Sequence, residues 1–402
     1  MQKLGMILLL PAVLAAQANT LTPMEVNEGW VLLFDGESLF GWHEQGKAQW
    51  SVAGGAIVAG GAESGWLRSG GVFGDFLLKC EFRTSAKGNS GIFIRSAKEG
   101  QPHVTGYEVQ IWNEHPKFPT GSLVNHVATP KKAELRGEQW NSFEIRAEGD
   151  LFTVNLNGNK VLEAKDSKSA AGHIGLQYNK ENRIEFRNIK LKPLGLKPIF
   201  DGKSLSGWRK VDTPRAKEPP VWSVQNGMLH VEKGPGQLET ESTYDNFVLQ
   251  MAIRTNPRDA NHHPNSGVFM RGDANSFWSG YESQIRNEFK DGDPTQPVDF
   301  GTGAIYHYQP ARKIVAKDGE FFVKTISAGG RLFNIWINGY LVTDWEDPHP
   351  EGTEVRKKQA KLTAGPISLQ AHDPTTNLDF KDIRLVLLGH KTTLVQRAPR
   401  GG

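Results

Sequence analysis

The sequence predicts an all-β protein built as two tandem β-sandwich domains of jelly-roll type. Three observations carry this. The chain repeats itself from end to end, its apolar residues recur mostly with period two, and glycine supplies 44 of 402 residues, above a usual share of about 7%.

The repeat is best read in chain order. Leu33-Phe34-Asp35-Gly36 with Ser38-Leu39 and Gly41-Trp42 returns as Ile199-Phe200-Asp201-Gly202 with Ser204-Leu205 and Gly207-Trp208. Trp50-Ser51-Val52 returns as Trp222-Ser223-Val224, NSGIFIR (Asn89 to Arg95) as NSGVFMR (Asn265 to Arg271), and GYEVQI (Gly106 to Ile111) as GYESQI (Gly280 to Ile285). Thr120-Gly121, Asn157-Gly158 and Leu176-Gln177 pair with Thr302-Gly303, Asn338-Gly339 and Leu369-Gln370, and EFRNIKL from Glu185 closes against DFKDIRL from Asp379. The offset widens along the chain, so the second copy carries insertions. The clearest contains Asp347-Pro348-His349-Pro350-Glu351-Gly352, a composition for loops.

Within each copy, Phe76, Leu78, Cys80 and Phe82 alternate with Lys79, Glu81 and Arg83, and Phe247, Leu249, Met251 and Ile253 repeat the inward set. The single cysteine, Cys80, stands opposite Met251 in the repeat and reads as a core residue; one cysteine also excludes an internal disulfide and cysteine-rich metal sites. LFTVNLNG and LFNIWING each end in Asn-Gly, the strongest short hairpin signal. Trp42, Trp208, Trp50 and Trp222 recur with their motifs and are expected in the cores. The boundaries follow: a first domain over 27–192, a two-proline linker over 193–198, a second domain over 199–388 and a tail over 389–402.

Residues 1–18 have the form of an export signal: Lys3, the apolar run Met6 to Leu14, then Ala16-Gln17-Ala18 as a cleavage site. A periplasmic or secreted protein is expected, without stable membrane insertion, because that run is too short to span a bilayer. The net charge of +3, from 47 basic and 44 acidic residues, gives no field for nucleic acid.

Strand alternation selects the candidate site residues. Glu108 and Gln110 share one face of their strand, and Glu282 and Gln284 share the equivalent face; a carboxylate beside an amide suits gripping and protonating a polyhydroxylated ligand. Gln370 and His372 share a face in GPISLQAHD, where the imidazole is an acid or base candidate, and the first copy offers Gln177 but Asn179 for the histidine. Arg95 and Arg271, ending the NSG strands, are candidate donors to sugar oxygens. The glycines of both NSG strings read as positions of close approach. His262-His263 lacks a third ligand at metal-site spacing.

Taken together, LFDGxSLxGW, WSV, NSG-[IV]-F-x-R, GYE-x-QI, T-G-[SA]-[LI] and LQ followed by F-[RK]-[ND]-I-[KR]-L resemble the 3-keto-disaccharide hydrolase family, over nearly all of the chain, twice. The resemblance implies a concanavalin A-like jelly roll and exported bacterial proteins acting on 3-keto sugars or related glycosides, here an oligosaccharide or 3-keto-glycoside substrate. The second copy keeps TGAIY, ending in Tyr306, and the LQ-x-H pattern, whereas the first has Val124 and Asn179; the second is therefore expected to be the catalytic copy, with the first a binding or scaffolding domain or a site of altered chemistry. Glu282 and His372 are assigned proton transfer, and Gln284, Gln370, Arg271 and Tyr306 the orienting of hydroxyl and keto oxygens. Arg95, Glu108, Gln110 and Gln177 are the first-domain equivalents. A divalent cation is compatible with an enediolate intermediate, but the sequence identifies no ligand set. Two rival readings are a noncatalytic glycan-binding protein and a jelly-roll glycanase acting on unoxidised polysaccharide, with Glu114 or Glu288 as its second acid.

Overall fold

The computed structural model describes residues 18–389 except 86, 181, 356, 357 and 360, so the expected export signal up to residue 17 and the tail from residue 390 lie outside the described residues. Among the described residues, each copy forms an eight-stranded and a five-stranded antiparallel sheet packed face to face, which is the expected fold class. In the first copy the larger sheet runs Asn159–Lys165, Leu151–Leu156, Asn141–Glu148, Phe76–Thr84, Ile184–Pro193, Ala56–Gly60, Gln49–Ala53, with Val31–Leu32 added beside Ile184–Pro193. The smaller runs Trp42–Gly46, Gly65–Ser69, His173–Tyr178, Ser90–Ser96, Tyr107–Ile111. The second copy repeats both orders, ending its smaller sheet with Gly236–Thr240, Ser368–Ala371, Ser266–Met270 and, at the edge, Tyr281–Ile285. No helix among the described residues is long and apolar enough to cross a membrane.

The repeated motifs have local physical causes. In LFDGxSLxGW, the Asp35 carboxylate accepts the backbone N–H groups of Glu37 and Ser38, both at 2.8 Å, and the Trp42 indole donates back to the Leu33 carbonyl at 2.6 Å. Asp201 and Trp208 do the same in the second copy. All four motif tryptophans are buried, as expected. At each Asn-Gly turn both residues take positive φ, 50° and 82° at Asn157-Gly158 and 50° and 75° at Asn338-Gly339, the conformation that matches strand twist in a two-residue hairpin. Cys80 is buried in the first core, and burial raises its thiol pKa far above the ordinary value, leaving it unreactive.

One pattern departs from the sequence reading. In Phe76–Thr84 burial alternates strictly, but in Phe247–Thr255 the outward residues Val248, Gln250 and Ala252 are buried too. The cause is the first domain, which covers the outer face of the second domain's larger sheet. Val248, Trp336 and Leu341 join the first domain's core cluster. The Trp336 indole donates to the Leu32 carbonyl at 2.9 Å and packs 5.8 Å from the Phe73 ring. Gln250 donates to the Gly29 carbonyl at 2.7 Å, Ser327 to the Val72 carbonyl at 2.8 Å, and Arg312 pairs with Asp35 at 2.9 Å.

The inserted loop after Glu346 is also anchored. Asp347 is 1% exposed and accepts hydrogen bonds from the Tyr281 hydroxyl and from the His349 backbone and ring. The first copy ties Tyr107 to Asp166 at 2.8 Å and Asp166 to His126 at 2.9 Å, so a Tyr–Asp–His staple recurs although its histidine comes from a different segment.

Candidate functional site

The strands Tyr107–Ile111 and Tyr281–Ile285 send Tyr, Val or Ser, and Ile into the cores, leaving Glu108 and Gln110, or Glu282 and Gln284, on the outer face of the smaller sheet. The NSG glycine lies beneath each carboxyl: a Cβ on Gly91 would stand 2.6 Å from Glu108 Oε1, and one on Gly267 would stand 2.5 Å from Glu282 Oε1. The close approach anticipated for these glycines is thus made by the protein's own glutamate side chain.

In the second copy a cavity of about 260 Å³ opens above this floor, lined by Glu282, Gln284, Tyr306, Gln370 and His372 together with Arg215, Pro235, Asn265, Phe277 and Trp278. Five of the six residues assigned to the second-copy site therefore converge. Trp278 donates its indole N–H to Glu282 Oε2 at 3.2 Å. Tyr306 packs 4.2 Å from the His307 ring and 5.1 Å from Phe300, and His307 lies 6.0 Å from Trp278. Trp278, Asp299, Phe300 and His307 all have positive φ, between 50° and 70°, so the loops around the carboxyl hold left-handed residues that bulky side chains disfavour. In the first copy Asn125, a residue tolerant of that conformation, occupies the turn position of His307.

His372 is half-exposed at the rim, and its Nδ1 lies 2.8 Å from Asp373 Oδ2. That hydrogen bond from His372 holds the Asp373 carboxyl well below the usual carboxylate range, aided by the Thr375 hydroxyl and backbone N–H against the opposing effect of burial. An ionised carboxylate only accepts, so the His372 Nδ1 carries the proton of this hydrogen bond. Gln370 is 3% exposed, and its Oε1 has no hydrogen-bond partner among the described residues. Gln284 donates to the Asp299 backbone carbonyl and carboxylate, both at 3.1 Å, and so braces the loop as well as lining the cavity.

Arg271 and Arg95 correct the sequence reading. Arg271 is fully buried, donating to the carbonyls of Asp245 at 2.8 Å and Gly330 at 2.6 Å, over the Phe333 ring. Arg95 likewise donates to the carbonyls of Gly74 at 2.9 Å and Gly149 at 2.8 Å and pairs with Asp75, over Phe152. The backbones of Arg95 and Arg271 take φ of 52° and 56°, which turns the strand end so that each guanidinium ties hairpin ends within its own sandwich. Arg271 does not line the second-copy cavity, and Arg95 does not line the first-copy groove.

The first-copy face is built differently. Trp66 and Phe93 meet edge to face at 5.6 Å, and with Gln177, Tyr178 and Asn179 they border a groove of about 510 Å³. Glu108 and Gln110 are buried beside it, and the Oε1 atoms of Gln110 and Gln177 lack hydrogen-bond partners among the described residues. Burial pushes the Glu108 carboxyl up to about 7, against a hydrogen bond from Gln177.

Sequence reasoning missed Trp278, Asp373, Asn265 and Arg215. Asp373 adjoins a selected histidine, and Trp278 stands two residues before GYESQI, but neither has a repeat partner to single it out. For the divalent cation compatible with an enediolate, no group of three or more His, Cys, Asp and Glu side chains among the described residues is placed as a ligand set. The cavity presents one carboxylate and one imidazole, which do not make a metal site, so no chemistry is derived through a cation.

Comparisons with known proteins agree with the internal repeat. A 3-keto-disaccharide hydrolase of Bacteroides thetaiotaomicron is 27% identical over 183 residues, which is 37% of this chain and 63% of that protein, so the chain spans less than two thirds of its curated relative. Among solved structures, a provisionally named glycosyl hydrolase of Parabacteroides distasonis is 24% identical with a TM-score of 0.40, covering 44% of this chain and 100% of its own. A carbohydrate binding module of Bacillus subtilis is 21% identical with a TM-score of 0.32, covering 37% and 94%. The family model described as the 3-keto-alpha-glucoside-1,2-lyase-like domain matches residues 29–192 and again 195–386, and the chain belongs to that family twice over.

Proposed function

We propose that this is an exported carbohydrate-active enzyme that cleaves the glycosidic bond of 3-keto-glycosides, with the second domain as the catalytic one. The observation that carries the reading is the convergence of Glu282, Trp278, Tyr306, Gln370 and His372, the last hydrogen-bonded to Asp373, on one cavity of about 260 Å³, a volume suited to a single sugar ring. A ketone at C3 acidifies the C2 proton. A base removes that proton, the electrons form the C2–C1 double bond, and the C1–oxygen bond breaks with a proton delivered to the leaving oxygen. Water then adds across the double bond, so elimination and hydration together equal hydrolysis. This accommodates both a lyase-like family description and a relative named as a hydrolase.

Glu282 and His372 divide the two proton transfers. Tyr306, Gln370 and the Trp278 indole supply oriented polar groups, with the unpartnered Gln370 oxygen available to a sugar hydroxyl. The glycanase alternative loses its second acid, because Glu288 is held by Arg286 and Glu114 faces solvent beside Lys132. The decisive experiment incubates the purified protein with paired oxidised and unoxidised glucosides and identifies products by mass. Cleavage confined to the 3-keto member supports the reading; saturable binding without product, or turnover of the unoxidised sugar, overturns it.

Gly267→Ala provides a sharper geometric check. The new methyl group displaces the Glu282 carboxyl without touching the core, so turnover of the 3-keto-glucoside should fall by about tenfold or more while the unfolding temperature changes little. Calorimetry and steady-state kinetics on one preparation measure both.

A further inference from the structure

Lys324 is completely buried in the core of the second sandwich, on the strand Phe322–Gly329 of the larger sheet. Its ammonium crosses the core to the smaller sheet and donates to the Ser283 carbonyl at 3.0 Å, the Ser283 hydroxyl at 2.9 Å and the Gln284 carbonyl at 2.9 Å. Three acceptors match the three protons of the charged form. These acceptors belong to the edge strand Tyr281–Ile285, immediately behind Glu282 and Gln284. Besides its pairing with Ser266–Met270, the strand is held by a loop in which the Gly303 N–H donates to the Gln284 carbonyl at 2.9 Å and the Tyr306 N–H to the Glu282 carbonyl at 2.9 Å.

The first copy provides an internal comparison. Lys324 pairs across its sheet with Met251 as Phe143 pairs with Cys80, and Ser283 stands where Val109 stands, so the same place there holds an apolar pair. A buried lysine is expensive to keep in a sandwich core unless its charge is used.

We infer that Lys324 is a positioning residue of the second-domain site, its buried ammonium pinning the edge strand from the core side and setting a positive charge behind the Glu282 carboxyl. This rests on the reading of Glu282 as a reacting group. Around Lys324, the neighbouring strands contribute the apolar Met251 and Ile337 and the polar Ser283, and Glu282 is the charged group acting on it. On the cavity side, Glu282 shares its surroundings with Arg215, Tyr306, His372 and Trp278. Burial pushes the Lys324 ammonium down to about 7, and the charge of Glu282 opposes that change, so the two groups attract each other through the strand. Glu108, with Val109 and Phe143 behind it, has no such cation and is pushed up to about 7.

The test is a carbon-detected NMR titration of glutamate-labelled full-length protein, with Glu282→Gln identifying the Glu282 resonance. Lys324→Met, and the double variant Ser283→Val with Lys324→Phe that imports the first copy's pair, should each raise the Glu282 titration midpoint. Both should lower kcat for the 3-keto-glucoside more than they change KM. An unchanged midpoint in a variant that still melts cooperatively overturns the inference. The titration is independent of turnover, so the two readings fail separately: if Glu282→Gln leaves cleavage intact while the midpoint still moves, the catalytic reading falls and the electrostatic role of Lys324 stands.

Discussion

Replacing Glu282 by Gln is expected to reduce cleavage of a 3-keto-glucoside by about a hundredfold or more, the range a single positioned acid or base contributes. The substitution is nearly isosteric, and the amide can still face the Trp278 indole through its oxygen, so binding and unfolding temperature should change little. His372→Ala should give a loss of similar order. Its signature differs, because Asp373 then loses the hydrogen bond that is the largest cause of its lowered pKa, and its carboxyl should titrate closer to the ordinary range. Turnover near that of the parent in both variants, measured with saturating substrate, removes the proton-transfer assignment.

The largest effect on stability is expected at Trp336. It is 1% exposed, belongs to the second sandwich by sequence and packs in the core of the first, with its indole on the Leu32 carbonyl. Trp336→Ala should destabilise the protein by about 3–5 kcal/mol through the lost ring contacts and the cavity left behind. Because the loss falls between two sandwiches that each have their own core, calorimetry should resolve one transition into two, with the second domain still binding sugar. Trp336→Phe keeps most of the packing and loses mainly the hydrogen bond, so about 1 kcal/mol is expected. A single unshifted transition in Trp336→Ala contradicts the interface described here.

The all-β class and the pairing of motifs were legible in the sequence because period-two alternation and Asn-Gly turns are local, and a second copy of each doubled the signal. The site was legible to the same depth: Glu282, Gln284, Gln370 and His372 follow from counting along strands, and Tyr306 follows from its motif. What escaped depended on contacts between distant segments. Arg95 and Arg271 sit at strand ends where alternation predicts an outward side chain, but a left-handed residue at each end rotates the guanidinium inward. Trp278 and Lys324 answer to groups far along the chain or across the core. One clue to the domain interface was present: Trp336 occupies the position of Asn155, and Val248, Gln250 and Ala252 replace a largely charged outward row, so the second copy's outer strands were already too apolar to face water.

That covered sheet bears on how a duplicated chain can change. The first domain adheres to the back of the second, and the second domain's cavity opens from its other sheet, so neither mouth is made from the other copy's residues. Substitutions in one recess need not be matched in the other, whereas those on the shared back are constrained by two cores at once. The pair can therefore specialise at its openings, one presenting His372 and Tyr306 where the other has Asn179 and Val124, while the seam that joins them stays fixed.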